Sequence, residues 1–175
     1  MNTPGPNAKD NTIVVECFQA KDSYSNLKSG YERIRGQIEA LQNSSWREIK
    51  IRLTLFGDCQ FLSMMYGISG SAGNYPWLWC HVKRSEIQSE DTSLNCDLRT
   101  LETLHSDHSA FQIHGTGKKT HASQFNNVIN PALIRIDLYH VCPPYLHIML
   151  GIVKKHHDLL EKDVLDIDRD IGNLF

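Results

Sequence analysis

The stretch from Leu53 to Cys80 constrains the fold of this chain more than any other part of the sequence. An alternating apolar run reaches a turn at Gly57-Asp58, and apolar residues at helical spacing follow. A glycine-rich loop at 69–73 and an aromatic segment at 75–80, called the knuckle below, complete it. This order predicts a strand, a turn, a short helix and a loop. Asp58 is then either a catalytic carboxylate at a strand-to-helix junction or the N-cap of the helix.

Composition narrows the class of protein. The 175 residues are 41% hydrophobic and 22% charged, which is typical of one soluble domain that can bury a core. The net charge of −2 gives no overall attraction to nucleic acid, so such a contact would need a local basic patch. Five scattered cysteines without a signal sequence predict an intracellular, nuclear or cytoplasmic protein. No apolar run approaches the ~18 residues of a membrane span, so no membrane contact is expected.

The N-terminal half reads as a strand, a helix and a second strand. Residues 1–11 are expected to be a disordered segment, and 12–175 a single α/β domain. A β-rich run at 12–18 precedes a helix that Asp22 or Ser23 caps. The apolar stripe of that helix comprises Leu27, Tyr31, Ile34, Ile38 and Leu41. An alternating strand at 48–56 follows, and this spacing predicts a crossover that places the two strands in parallel.

The C-terminal half is expected to be mostly helical. A helix is predicted over 97–111, a basic loop over 115–120, and a short strand over 133–138 that contains Asp137, a second candidate carboxylate. A long amphipathic helix begins at Pro144. Its apolar stripe follows a heptad spacing and comprises Leu146, Leu150, Val153, His157, Leu160, Val164, Ile167 and Ile171. The stripe can serve self-association, a protein partner or the core of the domain, and the core is expected to use its first half.

Two pairs of basic residues are candidates for nucleic-acid contact. Lys83 and Arg84 lie in a polar connector, and Lys118 and Lys119 lie in the glycine-containing loop 115–120. These four residues would bind phosphate groups and not bases, although charged runs are usually solvated surface. The loop lacks the glycine and hydroxyl spacing of a Walker motif, so a nucleotide phosphate site is rejected.

Several blocks together carry a resemblance to a known family. The chain resembles a repeat-rich family of uncharacterised, transposon-derived invertebrate proteins over roughly Thr12 to Glu161. The matching blocks, in chain order, are Phe18–Leu27, Gly57–Leu62, Met65–Gly67, Tyr75–Cys80, Arg99–Leu101, Phe125–Ile129 and Val141–Gly151.

The resemblance extends more distantly to the RNase H-like core of DDE transposases, including the catalytic subunit of the V(D)J recombinase. It implies a partial RNase H-like fold, with a small mixed sheet of three to four strands flanked by helices. Such cores hold two Mg²⁺ or Mn²⁺ ions on three carboxylates for attack on DNA phosphate. Only Asp58 and Asp137 stand as candidates here. The family-like knuckle implies zinc, but Trp77 replaces the first cysteine of the expected pair, so Cys80, His81 and His147 are the remaining candidate ligands.

The resulting prediction is a truncated or degenerate transposase-derived domain without catalytic activity, which retains weak nucleic-acid or protein binding. One alternative is an active metal-dependent nuclease or strand-transfer core completed by sequence elsewhere. Another is an OTU-like cysteine protease, because Gly57–Phe61 resembles that nucleophile block and the helix start would lower the pKa of the Cys59 thiol. Phe56 stands where that block carries aspartate. The third alternative is a protein-interaction module that uses the C-terminal heptad stripe.

Overall fold

The computed structural model describes residues 19–87, 96–115 and 117–172. Five helices and two short strands occur in these ranges: α1 (Tyr24–Gln42), β1 (Ser45–Trp46), β2 (Ile49–Lys50), α2 (Cys59–Met65), α3 (Arg84–Ile87), α4 (Leu101–His114) and α5 (Tyr145–Gly172). Lys119–Phe125 and Leu138–His140 form 3-10 helices. The predicted disordered segment 1–11 and the predicted strand 12–18 lie outside the described residues.

Helix α1 confirms the sequence prediction except at Leu41, which is 44% exposed in the last turn and does not join the core. The hydroxyl of Ser23 accepts a hydrogen bond from the backbone N–H of Asn26 at 3.2 Å, so Ser23 is the N-cap. Tyr31 is buried in the core, and the other apolar residues that pack against the core from this helix, Leu27, Ile34 and Ile38, are half-buried. The helix is therefore held by its apolar face, as the four-and-three spacing requires.

The predicted strand 48–56 is only partly a strand. Arg47 and Glu48 adopt left-handed backbone conformations, with φ of 45° and 69°, and turn the chain so that β1 and β2 pair antiparallel. Beyond this hairpin the chain is extended, with 51, 53 and 55 half-buried and the residues between them exposed. The predicted alternation of burial is confirmed. Among the residues that the structure describes, pairing of this segment beyond the hairpin is limited to one parallel bridge between Leu55 and Val141.

The predicted strand 133–138 is wrong as a paired strand. The segment is extended as far as 137 and buries Leu133, Ile134 and Ile136, but backbone carbonyls within it and just before it accept hydrogen bonds from side chains instead of another strand. The Tyr24 hydroxyl donates to the carbonyl of Pro131 at 2.8 Å, Gln42 Nε2 donates to Arg135 at 3.2 Å, and the Tyr66 hydroxyl donates to Ile136 at 2.7 Å. These side-chain hydrogen bonds take the place of the backbone hydrogen bonds that a paired strand would make to its neighbour.

The architecture is therefore mixed α/β and mostly helical, with a long C-terminal helix as predicted. Among the described ranges the only sheet is the hairpin of β1 and β2, so the expected mixed sheet of three to four strands is not seen there. None of the helices in those ranges combines the length and the apolarity needed to cross a membrane.

The core surrounds α2 and the turn that follows it. Leu62, Tyr66, Leu104 and Val128 are almost fully buried and form its centre. After α2, the carbonyl of Gly67 accepts hydrogen bonds from the N–H groups of 129 and 130 at 3.0 and 3.1 Å. Gly67 has a φ of 73°, and a Cβ there would overlap the carbonyl oxygen of the residue at 130. The close approach of these two turns therefore requires glycine.

Helix α4 begins later than predicted. Thr100 is its N-cap, and Thr100 and Thr103 form a reciprocal capping box, so the helix starts at Leu101 instead of near 97. Leu104 and Phe111 face the core as expected, whereas Leu98 precedes the helix and is 72% exposed. The late start places Arg99 before the helix, where its side chain is buried.

Candidate functional site

The two candidate carboxylates both act as helix caps. Asp58 Oδ1 accepts a hydrogen bond from the N–H of Phe61 at 2.7 Å, which confirms the interpretation of Asp58 as the N-cap of α2. Asp137 Oδ1 accepts from the N–H of Tyr139 at 3.0 Å and caps the 3-10 helix Leu138–His140. Both residues are exposed. Each carboxylate thus has a structural role that does not depend on metal.

Cys59, the thiol of the protease hypothesis, lies at the start of α2 as expected. Burial and the neighbouring carboxylate of Asp58 raise the pKa of the Cys59 thiol. The predicted lowering of this pKa is wrong, because the desolvation and the adjacent negative charge outweigh the helix N-terminus. A thiol with a raised pKa is less available as a thiolate nucleophile.

The knuckle is joined to the segment before α4. Cys80 forms an antiparallel bridge with Leu98, and the N–H of His81 donates to the carbonyl of Asp97 at 3.0 Å. The Cys96 thiol is hydrogen bonded to Cys80, which is the main cause of the raised pKa of Cys96. Cys80 and Cys96 are therefore adjacent thiols, and their contact makes the Cys96 thiol harder to deprotonate.

The predicted zinc ligands do not form a set of three in the part of the chain that the structure describes. The only group of three close candidate ligands found there is His157, Asp158 and Glu161, all exposed on α5. His147 lies on α5, and its side chain is outside the described residues. Exposed acidic groups like those on α5 are common without an ion. The prediction that Cys80 and His81 bind zinc remains a prediction.

A buried polar network that the sequence analysis missed lies beside the knuckle. Arg99 is 3% exposed, and its Nε donates to the carbonyls of Trp77 at 3.1 Å and Cys80 at 3.3 Å. Its Nη2 donates to the carbonyl of Asn126 at 2.9 Å. The side-chain amide of Asn126 in turn donates to both oxygens of Asp107, at 3.1 Å each. One guanidinium thus ties the knuckle, α4 and the 3-10 helix Lys119–Phe125 together.

The electrostatics of this network follow from burial. Desolvation lowers the pKa of Arg99 to about 10, so the guanidinium remains charged at neutral pH. Burial and the charge of Arg99 lower the pKa of His81, whose Nε2 lies 3.8 Å from Asp107 Oδ2. His81 is consequently neutral at pH 7. The charge of Arg99 is balanced mainly by Asp107. The network joins the knuckle to Asn126 and, through Asp107, to α4.

Of the four basic candidates, Lys83 and Arg84 line a cleft, and Lys118 and Lys119 lie at the start of the 3-10 helix that forms its other side. A cleft of about 420 Å³ is lined by Lys83 and Arg84 on one side and by Ser123 and Gln124, from the 3-10 helix that Lys119 begins, on the other. The guanidinium of Arg84 already donates to the carbonyl of Ser71. Lys118 and Lys119 are exposed but do not line this cleft.

A second cavity, of about 560 Å³, lies between α1, α4 and the extended segment 131–135. His108 contributes to its lining, and burial lowers the pKa of this imidazole. The lining is a mixture of apolar and charged side chains, and it includes none of Asp58, Asp137 and Cys80. The cavity and the predicted site residues are therefore separate features.

The apolar stripe of α5 is the most unusual surface in the described structure. Its described aliphatic members are all more than half exposed: Leu146 (69%), Leu150 (58%), Val153 (59%), Leu160 (65%), Val164 (57%) and Ile167 (57%). The expectation that the first half of the helix would join the core is wrong, because Leu146, Leu150 and Val153 are exposed and belong to that half. A continuous apolar surface of this kind usually marks an interaction site.

Comparisons with protein-family models, with curated proteins and with solved structures find no match to this chain.

Proposed function

We propose that this chain is a protein-interaction domain whose helix α5 presents an apolar stripe for pairing with another helix. The exposed heptad stripe carries this proposal. Helix α5 is 28 residues long, about four heptads, and sustained apolar heptads over that length are typical of coiled-coil helices. The core around α2 does not draw on the stripe, since none of the α5 side chains that the structure describes belongs to the core cluster.

The free energy of burying apolar side chains favours a state in which the stripe of α5 is covered by another surface. Fully burying one Leu, Val or Ile side chain contributes about 1.5–3 kcal/mol, and the stripe offers six such side chains with more than half of their area in water. Gly151 in the first half of the helix costs up to about 1 kcal/mol relative to alanine, so intrinsic propensity does not explain the long helix. Pairing along the stripe supplies the stabilisation that most helices draw from tertiary packing.

The test is a chain that ends at Pro144. If the stripe is a binding surface, the remaining domain keeps its free energy of unfolding within about 1 kcal/mol, because it loses no core side chain. Complexes formed by the full chain, measured as mass by light scattering, should be lost at the same time. Leu104→Ala, which should cost about 2.7–5 kcal/mol, shows that the unfolding assay detects core damage. Collapse of the truncated chain would refute the proposal, since α5 would then be part of the core.

A second proposal concerns origin and nucleic acid. We infer from the ordered motif blocks that the domain derives from a transposase-like protein with a partial RNase H-like core. The cleft between Lys83-Arg84 and the 3-10 helix that begins at Lys119 supports weak phosphate binding by this domain. Binding of fluorescent duplex DNA should weaken steeply between 50 and 200 mM salt, by roughly tenfold for two or three phosphate contacts. Affinity that does not change with salt would refute this proposal, and Lys155→Ala, at an exposed position of α5 outside the stripe, is the control for Lys83→Ala.

A further inference from the structure

We propose that the partner of α5 is α5 of a second copy of this chain, paired antiparallel in one register. In this register Leu150 faces Ile167, Val153 faces Val164, and His157 faces Leu160 of the second copy, with each contact repeated by symmetry. The inference rests on the proposed function, because it names the partner of the same stripe.

The spacing of the stripe is compatible with this register, in which all of its positions are paired. Its six central positions, from Leu150 to Ile167, are separated by three, four, three, four and three residues. This series is the same in both directions, so a reversed copy places every stripe position against a stripe position. The midpoint falls between His157 and Leu160. In that alignment His157 packs against an aliphatic side chain, whereas a parallel pair would place it against the second copy's His157.

The charges beside the stripe favour the antiparallel pair. Lys154 and Glu161 both lie on one flank, and the antiparallel register brings Lys154 of each copy near Glu161 of the other. On the opposite flank, His156 of each copy comes near Asp163 of the other. All four of these side chains are exposed in the single chain. A parallel pair would instead place Lys154 of one copy near Met149 of the other. Among the described side chains, the only complementary contact beside the stripe of a parallel pair would join His156 and Glu161.

Chain connectivity gives the same preference. Helix α5 starts at Tyr145, four residues after Val141, which forms a bridge with Leu55. The helix is about 42 Å long at 1.5 Å per residue. An antiparallel pair separates the two folded domains by the length of the helix, whereas a parallel pair places both domains at the same end. The antiparallel arrangement therefore avoids crowding of the domains.

The first experiment measures the mass of the full chain by light scattering over a range of concentrations. The expected mass is twice the 20.0 kDa of one chain. Leu160→Asp should weaken dimerisation at least about 100-fold, because the interface loses the buried leucines of both copies and gains two charges next to the midpoint. Leu159→Asp is the matched control, since this neighbouring leucine is also exposed but lies outside the stripe. Monomeric wild-type protein, or equal effects of the two substitutions, would overturn the proposal.

The second experiment determines the orientation with engineered thiols. Val153→Cys and Val164→Cys are prepared separately in a chain whose exposed Cys59 and Cys142 are replaced by serine. Mixing the two variants under oxidising conditions should give a disulfide that joins one copy of each. Neither variant alone should form a new disulfide, and the same background without an added cysteine is the control.

The outcomes separate this inference from the proposed function. A disulfide between two Val153→Cys chains would show a parallel pair and overturn the register. A monomeric full chain, together with a truncated chain that stays folded, would overturn only the second copy as partner. A truncated chain that unfolds would overturn the proposed function as well, because the stripe would then be needed by the domain itself.

Discussion

Replacing Arg99 by methionine tests whether one buried guanidinium holds the knuckle in place. Methionine fills a similar volume but leaves the carbonyls of Trp77, Cys80 and Asn126 without the donors that they have in the native protein. Each buried acceptor that loses its partner costs about 1–3 kcal/mol. The total for three carbonyls is about 6 kcal/mol at the middle of that range.

An opposing effect reduces this loss. Burial lowers the pKa of Arg99 from 12.5 to about 10, and a change of that size corresponds to about 3 kcal/mol of burial cost at ~1.4 kcal/mol per pKa unit. This cost disappears with the charge. The net expectation for Arg99→Met is a loss of about 3 kcal/mol, because the unpaired carbonyls outweigh the relieved desolvation.

Urea unfolding followed by circular dichroism measures this loss. In thermal unfolding the same change lowers the midpoint by about 6–12 °C for a chain of this length. Arg52→Met is the control, because Arg52 is exposed and its replacement should change the free energy of unfolding by less than about 0.5 kcal/mol. A loss below about 1 kcal/mol for Arg99→Met would refute the reasoning that the guanidinium satisfies these carbonyls.

Two further predictions concern protonation and backbone geometry. Because burial lowers the pKa of His81 below its unfolded value of about 6.5, the unfolded chain takes up the proton first, and stability should fall as pH decreases through that value. His81→Gln should flatten the decrease in urea midpoint between pH 7.5 and 5.5, and an unchanged slope would contradict this. Gly67→Ala should cost at least about 1–2 kcal/mol, since its φ is 73° and the added Cβ meets a backbone carbonyl. Gly36→Ala, in the open middle of α1, should instead stabilise the protein by about 0.5–1 kcal/mol in the same unfolding assay.

The helices could be predicted where a periodic apolar face coincides with a cap. Helix α1 has both signals, in Ser23 and the stripe that includes Tyr31, and it was predicted to within a few residues. The hairpin of β1 and β2 could not be predicted in this way. Its two turn residues, Arg47 and Glu48, adopt left-handed conformations, and neither is one of the Asn, Asp or Gly residues that usually signal such turns. All residues of the hairpin, 45–50, are exposed, and the Arg47 guanidinium lies 5.3 Å from the centroid of the neighbouring Trp46 ring, so the contacts made by this turn are local.

The candidate site could be predicted less well than the helices. The cap role of Asp58 is visible in sequence because the carboxylate and its amide partner are three residues apart. The network of Arg99 has no such local signal. Its acceptors are backbone carbonyls of Trp77, Cys80 and Asn126, which are distant in sequence, and any residue type provides the same carbonyl. The burial of α5 was also mispredicted, because a heptad stripe indicates that a face will be covered without identifying what covers it.

The extended segment 131–136 has a consequence for aggregation. Extended apolar segments with free backbone groups are templates on which another chain can add a strand. Here Tyr24, Gln42 and Tyr66 occupy carbonyls of the segment, and the N–H of Leu133 donates to the carbonyl at 65 at 2.7 Å. An incoming chain therefore meets four backbone groups of this segment, three carbonyls and one N–H, that are already engaged within the molecule. Three side chains from two helical regions thus reduce the number of groups available for edge-to-edge association at the place where the sequence most resembles an unpaired strand.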